Sequence, residues 1–470
     1  MARRLRILMV LAASRSDPMH RNDPFMPLSL PLLAGTAPDH DYTFVDLLWD
    51  DGVDTTAAYD LVGISVRLTG EPRAYELAAA FRARGIPVVL GGPQASGVPH
   101  RAIRHADAVA IGEGEPLWPV IVDDVLRGTL RDFYVCAPVP FHAPAGRTVH
   151  QVAGYADLSA VPTPLRHLFK RSYRFDTVFA TRGCPIDCDF CSVSSLFGKA
   201  FRHRPVADVV REIDGFRNYF YLLDDTVFGK PSTYDYYLEL YDAIARLPRR
   251  RYWTGQANLD AAADPRGRRV IDRAVDAGLL YAMVGIESVN PATLERSGAI
   301  RKMGARSADE VLDRMRENIR YLQDRGLILS GWFVVGYDDD SLRTYEDTLA
   351  FCREMHLVPV ISPVKALPGT RLHHRLKSDG RLDDSRMLNY RHPTMADEDV
   401  LAMRARIIRE GYAWPEIWKR TRFYASRWKG QPARDAIHKT IFTWILQAKM
   451  RGGIVHDEFL AEEVGEAAGA

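Results

Sequence analysis

Thr181-Arg-Gly-Cys-Pro-Ile-Asp-Cys-Asp-Phe-Cys-Ser192 decides how this chain is read. Cys184, Cys188 and Cys191 form a C-x3-C-x2-C array, with an aromatic residue, Phe190, directly before the third thiol. A cubane [4Fe-4S] cluster normally takes four thiolates. Three on one short loop leave an iron open, and an open iron binds and reduces a substrate. The rival reading is a zinc knuckle, but zinc sites usually present paired ligands with a distant second pair, and the sequence offers no second pair. Five cysteines in 470 residues are too few for a disulfide framework. Cys136 and Cys352 are isolated and read as buried small apolar residues.

Outward from the loop, residues 174–369 alternate short apolar runs with helical stretches. The strand candidates are Asp176–Ala180, Tyr219–Leu223, Tyr252–Thr254, Tyr281–Ile286, Leu327–Val335 and Val358–Ala366, with helices such as Asp264–Ala277, Ala308–Arg325 and Ser341–Met355 between them. That is six βα units with polar residues after the strands, where barrel enzymes place their active sites. Upstream, residues 5–130 show the same alternation, with strand candidates Leu5–Leu11, Tyr42–Leu47, Leu61–Val66, Val88–Leu90 and Ala108–Ile111. This is the pattern of a Rossmann-like, doubly wound parallel sheet, whose ligands lie beyond the carboxyl ends of the strands.

The cysteine array with its aromatic resembles the radical S-adenosylmethionine (SAM) superfamily. That resemblance implies a partial (β/α)6 TIM-like barrel and a [4Fe-4S] cluster on Cys184, Cys188 and Cys191, with SAM chelating the fourth iron. Phe190 is similar to the aromatic whose backbone meets adenine. Gly285-Ile-Glu-Ser288 resembles the fourth-strand element, in which Glu287 or Ser288 would bond the methionyl or ribose groups. Gly331-Trp-Phe-Val-Val-Gly336 is similar to the fifth-strand element along the adenine, which brings in Val335 and Gly336. Leu367-Pro-Gly-Thr370 resembles the segment closing the adenine pocket, and the acidic and polar elements of strands two and three supply Asp225 and Gln256. Residue by residue, plainer readings stand beside these. Asp224 and Asp225 suit helix capping, Gln256 and Asn258 suit loop backbone, and Arg202 either belongs to a solvated basic face or pairs with the SAM carboxylate or a substrate acid. Glu287 ends a buried strand and needs a partner of its own.

The first 135 residues resemble the cobalamin-binding domain that precedes many radical SAM enzymes. The similar segments are Pro27-Leu-Ser-Leu-Pro-Leu-Leu-Ala34, Asp60-Leu-Val-Gly-Ile-Ser65, Val89-Leu-Gly-Gly-Pro93 and Gly112-Glu-Gly-Glu-Pro116. The resemblance implies cobalamin contacts from Gly63, Ser65, Gly91, Gly92, Gly112 and Glu113. The D-x-H-x-x-G motif that supplies a cobalt-ligating histidine elsewhere is absent, and His20 lacks its spacing. The glycines also suit ordinary strand-to-helix turns, and Glu113 and Glu115 suit the start of a helix near Pro116.

The expected organisation is a cobalamin-binding-like domain over 1–135, a linker over 136–173, the barrel over 174–380 and a mainly helical segment over 381–470. Cys136–Thr163 is rich in proline and alanine without periodicity and reads as a connector. Gly411–Arg451 holds nine Lys and Arg against two acids, interleaved with Trp414, Trp418, Phe423, Tyr424, Trp428 and Trp444. Basic and aromatic together suit nucleic acid or, more in keeping with a net charge of +2, helices packing aromatics onto the barrel. Tyr390, Arg391 and His392 are polar candidates for substrate contact or a surface turn. The N-terminal run Met1–Ala13 superficially copies a signal peptide but reads as a buried strand. No stretch is long enough to span a bilayer, and an oxygen-sensitive cluster belongs in the cytoplasm.

The resemblance implies that an external one-electron reductant such as flavodoxin or ferredoxin feeds the cluster. SAM is then cleaved to a 5′-deoxyadenosyl radical, and cobalamin delivers a methyl group to an unactivated carbon of a small metabolite or natural-product intermediate. Two other readings stand. The first domain could be empty, with the barrel performing ring formation, oxidation or aminocarboxypropyl transfer. Alternatively, the thiols hold a structural metal in an RNA-binding module.

Overall fold

The computed structural model describes residues 3–454 except 16, 18, 138–140, 187, 218, 297–305, 384–385 and 387. The end Glu462–Ala470, expected to fray, lies outside the described residues. The chain divides into two compact units. One comprises Met1–Thr177, Arg182–Pro185 and Ser192–Pro205; the other comprises Val178–Thr181, Ile186–Cys191 and Val206–Ala470.

The first unit is built on a seven-stranded parallel sheet in the order β2-β1-β3-β4-β5-β6-β7. Its strands are β1 Arg6–Ala12, β2 Asp41–Asp46, β3 Leu61–Val66, β4 Val88–Gly91, β5 Ala108–Gly112, β6 Phe133–Ala137 and β7 Val149–Ala153. Six consecutive residues of β1, Ile7–Ala12, are buried, because helices cover both faces of such a sheet and leave no solvent side for polar alternation. The chain steps from β1 to β2 on one side and then to β3 on the other. The strand order therefore reverses at β1, creating a crevice at the carboxyl ends of β1 and β3.

Strand β7 corrects the sequence reading. Val149–Ala153 pairs in parallel with β6, inside the stretch expected to be connector. As an edge strand it is half-exposed and carries His150 and Gln151, so it has no apolar run to betray it. Its order comes from the neighbour's backbone.

The second unit contains a six-stranded sheet in simple sequential order: Asp176–Val178, Tyr219–Leu222, Tyr252–Asn258, Leu279–Glu287, Ile328–Val335 and Val358–Pro363. Pairing is parallel from Tyr219 onward. Helices Val206–Asp214, Tyr234–Ala245, Pro265–Asp276, Ala308–Asp324 and Leu342–Glu354 return the chain between strands. Several starts are capped. The Asp264 carboxylate accepts from the Arg266 and Gly267 N–H groups (2.7 and 3.3 Å), and Ser307 Oγ accepts from Glu310 N–H (3.3 Å), satisfying donors that a helix leaves orphaned. Together the two sheets and the C-terminal helices make the expected α/β architecture.

Aromatic packing shows which strand faces look inward. Trp253 stacks on Phe220 (5.8 Å) and meets Tyr241 of the covering helix (5.3 Å), while Phe333 meets Phe351 (6.3 Å). Alternation then turns Tyr221, Gln256, Met283 and Trp332 to the inner face. Register puts Gln256 opposite Met283 and Gly285 opposite Trp332.

Helices Asp397–Gly411, Trp414–Arg427 and Ala433–Ile454 follow the sheet. Tyr424 Oη accepts from Leu329 N–H and donates to His356 O, both at 3.1 Å, and Trp428 Nε1–H donates to Gly326 O at 3.0 Å. Helix Ala433–Ile454 covers the amino ends of two strands. The His438 ring lies 4.6 Å from Tyr252, Phe442 lies 6.0 Å from Tyr219, and Tyr252 Oη–H donates to Asp435 (3.1 Å). The expected packing of tail aromatics therefore describes Tyr424 and Trp428. It fails for Trp414 and Trp418, which stand 49% and 59% exposed.

Candidate functional site

Glycine opens the cysteine loop for a steric reason. Gly183 has φ +91°, and a Cβ there would sit 2.1 Å from Ala200 O, so no L side chain fits. Cys184 N–H donates to Gly198 O (3.2 Å) and Cys191 N–H to Cys188 O (3.3 Å). None of the five cysteines forms a disulfide, and the loop's three are half-buried. Cys136 and Cys352 are buried, with thiols pushed up to about 11 and about 12, chiefly by burial. They stay protonated and inert. Among the described residues no three His, Cys, Asp or Glu side chains converge on a single point. A cubane does not ask that of its ligands, because each thiolate holds a different iron. Three half-exposed thiols on one loop fit such a group.

The loop's far end is held by the second unit. Leu372 N–H, in the first turn of helix Arg371–Ser378, donates to Asp189 O (3.0 Å). Tyr337 Oη donates to Asp189 Oδ1 (3.3 Å), and its ring meets Phe190 edge-on at 6.2 Å. Burial, then the charges of Asp189, Glu287 and Cys188, push the Tyr337 phenol well above its ordinary value, so it remains a neutral donor.

Tyr337 is itself fixed. Asp340 Oδ2 accepts the N–H groups of Gly336 (2.9 Å) and Tyr337 (3.0 Å), while its Oδ1 accepts from Asn290 Nδ2 and Thr293 Oγ1 (both 2.9 Å). His392 Nδ1 accepts from Thr394 and Met395 N–H, which leaves Nε2–H to donate to Tyr337 O (2.9 Å). Tyr390 Oη–H donates to Gly336 O. Tyr390 and His392, read as substrate candidates or a surface turn, are in fact buried pins of this loop; Arg391 is exposed. Sequence reading missed Asp340, whose only trace is the acidic turn Tyr337-Asp-Asp-Asp340.

The other expected SAM contacts divide. Glu287 has φ +71° at the end of its strand, where the register shifts. Such strain in a non-glycine residue persists only where the surroundings enforce it, and it clusters at functional sites. Ser288 is buried, and its Oγ accepts from Asn290 N–H (3.0 Å), a local turn role. Gly336 has φ +125°, with Val364 and Tyr390 crowding the Cβ position. Val335 is buried; Leu367 and Asp225 are half-buried. Gln256 is exposed, with Nε2 3.1 Å from Tyr221 Oη on the inner face. Asn258 Nδ2 donates to Asp260 and Gly229 O, the loop-backbone role.

Asp224 is the structural surprise. It is fully buried, and Oδ1 accepts the N–H groups of Ala180 (2.7 Å) and Thr181 (3.0 Å), the residues leading into the cysteine loop, while Oδ2 accepts from Tyr237 Oη (3.0 Å). It neither caps the helix that follows nor presents its carboxylate to solvent. Burial pushes its pKa up to about 6 against these hydrogen bonds.

In the first unit, Gly63, Ser65, Gly91, Gly92, Gly112 and Glu113 all line one cleft of about 360 Å³ at the carboxyl ends of β1, β3, β4 and β5, with Met9, Ser29 and Trp118. Sequence reading missed Trp118, against whose ring Gly63 packs; a Cβ there would lie 2.8 Å from it. Gly92 (φ +89°) and Gly112 (φ +84°) need their left-handed turns.

Glu113 is also paired within the protein. Its carboxylate is fully buried and taken up by Arg202 (2.6 and 3.0 Å), Arg182 (3.2 Å) and the Ala156 N–H (2.6 Å). Arg202 therefore pairs with Glu113 rather than with a SAM carboxylate, and its guanidinium lies 4.2 Å over the Tyr155 ring. Glu115 pairs with Arg182. Burial alone would raise Glu115, but Arg182 overrides it and holds the carboxyl below its usual range. Neither acid is a helix cap. Arg182 stands two residues before Cys184, so this ion cluster ties β5's terminal loop to the start of the thiol loop.

Residues 178–352 match the family model of the radical SAM superfamily. That segment carries a radical SAM domain, a family that implies a [4Fe-4S] cluster and SAM. The Bacteriochlorophyllide d C-8(2)-methyltransferase of Chlorobaculum tepidum is 25% identical over 407 residues, covering 82% of this chain and 85% of that protein. The Hopanoid C-2 methylase of Rhodopseudomonas palustris is 25% identical over 318 residues, covering 65% and 55%. The radical SAM methyltransferase TsrM from Kitasatospora setae, solved with cobalamin and a [4Fe-4S] cluster bound, shares the fold with a TM-score of 0.66 at 15% identity, covering 97% of this chain and all of that one. The cobalamin-dependent radical SAM enzyme OxsB, solved with aqua-cobalamin and SAM bound, gives 0.66 at 14% identity, covering 99% and 81%.

Two outcomes follow from the buried carboxylates. Because Asp224's folded pKa of about 6 exceeds its ordinary 3.8, the folded state keeps a proton the unfolded chain has lost between those values. Its contribution to stability thus falls as pH rises from about 4 to about 6. Asp224→Asn keeps an acceptor oxygen for Ala180 and Thr181, and subtracting its stability–pH curve from wild type in urea titrations should leave that decline. Glu113→Ala strands Arg202 and should destabilise the first unit by about 3–5 kcal/mol, whereas Glu113→Gln should cost less.

Proposed function

We propose that this radical SAM enzyme is a cobalamin-dependent methyltransferase acting on an unactivated carbon of a small metabolite or natural-product intermediate. The observation that carries the reading is one chain bearing both the half-buried thiol loop and a glycine-lined cleft at the switch point of a doubly wound sheet. When bound, the cluster with SAM supplies a 5′-deoxyadenosyl radical, and cobalamin supplies a transferable methyl group.

The chain's own residues then have distinct tasks. Cys184, Cys188 and Cys191 would hold the cluster. Glu287, Gly336, Val335, Leu367 and the Phe190 backbone are the proposed SAM contacts, with Tyr337 and Asp340 fixing their geometry. Gly63, Ser65, Gly91 and Gly92 let a large flat ligand approach the backbone. On the inner face of the second sheet, Tyr221, Met283 and a Trp332 ring 40% exposed present an apolar wall beside the amide of Gln256. Such a wall orients a largely apolar, ring-bearing substrate through shape and one or two polar contacts. The named reactions of the relatives, carbon methylations of bacteriochlorophyllide and hopanoid, support this substrate class.

The test is anaerobic turnover with methyl-labelled SAM and lipophilic extract from the host. Label in an extracted product, together with 5′-deoxyadenosine, is expected; deoxyadenosine without label transfer, from protein retaining no corrin spectrum, would instead support radical chemistry with an empty first domain. Gly91 has an ordinary φ, and a Cβ there meets only Ala110 at 3.6 Å or beyond. Gly91→Leu should therefore fold, fill the cleft and reduce retained hydroxocobalamin at least tenfold by visible absorption, leaving deoxyadenosine formation intact.

A further inference from the structure

Helices Trp414–Arg427 and Ala433–Ile454 bury one face each and, among the described residues, leave another bare. Inward go Ile417, Arg420, Thr421 and Tyr424 from the first, and Lys439, Phe442, Thr443 and Gln447 from the second. Outward stand Trp414 (49% exposed), Trp418 (59%), Ile437 (59%) and Ile441 (52%). They form one patch, because the half-buried Trp444 stacks on Trp414 (5.5 Å, 20°) and meets Trp418 edge-on (6.3 Å). Ile437, Ile441 and Trp444 follow the i, i+4, i+7 spacing of a single helix stripe. These four are most of the large apolar side chains that the described residues expose to this degree.

Among the described residues of these two helices and their turn, the exposed charges are all basic. Lys419, Arg422, Lys429, Arg434 and Lys449 are exposed on the same two helices and the turn between them. The two acids of Gly411–Arg451 are both engaged: Glu416 is mostly buried beside Lys419 (3.0 Å), and Asp435 accepts from Tyr252. The near-zero net charge of the whole chain conceals this local excess.

We propose that this face docks on an anionic membrane surface. Indole rings favour the boundary between headgroup and acyl chain, aliphatic tips such as Ile437 and Ile441 gain by entering it, and each basic side chain adds attraction to acidic lipid. Single-stranded nucleic acid would use the tryptophans and lysines but gains nothing from two exposed isoleucines. No described helix is long and apolar enough to cross a membrane, and surface docking requires none. The opposite face of Ala433–Ile454 covers the amino ends of strands Tyr219–Leu222 and Tyr252–Asn258, so the patch lies at the end of the second unit away from the thiol loop. Docking would tether the enzyme while leaving the carboxyl ends of those strands open.

The experiment is co-sedimentation of the anaerobically purified full-length protein with vesicles of phosphatidylcholine alone or with one third phosphatidylglycerol. Binding to the anionic vesicles at least tenfold tighter, weakened by salt, is expected. Trp418→Ala combined with Ile441→Ser should reduce it at least tenfold, and Arg422→Gln with Lys449→Gln should flatten the salt dependence. All four positions are exposed, so circular dichroism and SAM cleavage should stay unchanged. Equal or absent binding to both vesicles would overturn the proposal. So would a Trp418→Ala/Ile441→Ser variant that binds like wild type, one that changes only the oligomeric state in light scattering, or one that loses binding to a single-stranded oligonucleotide instead.

Discussion

Two backbone N–H groups, those of Ala180 and Thr181, must be satisfied in the dry interior just before the chain turns out to the thiol loop. Asp224 satisfies both with one oxygen. An unpaired buried amide costs about as much as a lost hydrogen bond, and a buried carboxylate costs more unless several donors face it. The pair thus makes sense only together, and Tyr237 completes it. The start of the loop inherits its position from this arrangement.

The loop's far end is fixed by a chain of partners that leads away from solvent. Asp189 is held by Leu372 and Tyr337, Tyr337 by Asp340 and His392, and Asp340 by Asn290 and Thr293. Each bond is ordinary in strength, net about 1 kcal/mol. The effect lies in their sharing of partners, since networks of this kind rigidify one arrangement. Both ends of the loop that carries the half-exposed thiols are thereby held, which is what holding a redox group at a fixed place requires. In the first unit Glu113, Glu115, Arg182 and Arg202 do similar work, four charges arranged so that none is buried alone.

Much of this was written in the sequence. The inner strands of the first sheet stand out because a parallel strand covered on both faces must be continuously apolar, as Ile7–Ala12 is. Gly92 and Gly112, legible as strand-to-helix turns, have the left-handed backbone that glycine adopts most readily. What stayed hidden shares a cause: partners distant in the chain. Strand Val149–Ala153 has no pattern of its own and exists because β6 offers it a ladder. The pairing of Glu113 was hidden because Arg202 is 89 residues away. Asp224 and Asp225 are neighbours with opposite fates, one sealed against Tyr237 and one half-exposed, and composition does not separate them. The tail's aromatics divided for the same reason, Trp428 finding Gly326 while Trp418 meets the edge of Trp444 and stays exposed.

One corner of the iron–sulfur group must stay free for the sulfonium nucleoside. Electron paramagnetic resonance of anaerobically purified, dithionite-reduced protein, recorded without and with SAM, tests this most directly. The expected result is a reduced four-iron signal whose g-values shift when SAM is added, and which disappears when Cys188 is replaced by alanine. A silent, colourless protein carrying one zinc and no sulfide, or a four-iron signal indifferent to SAM, would contradict it.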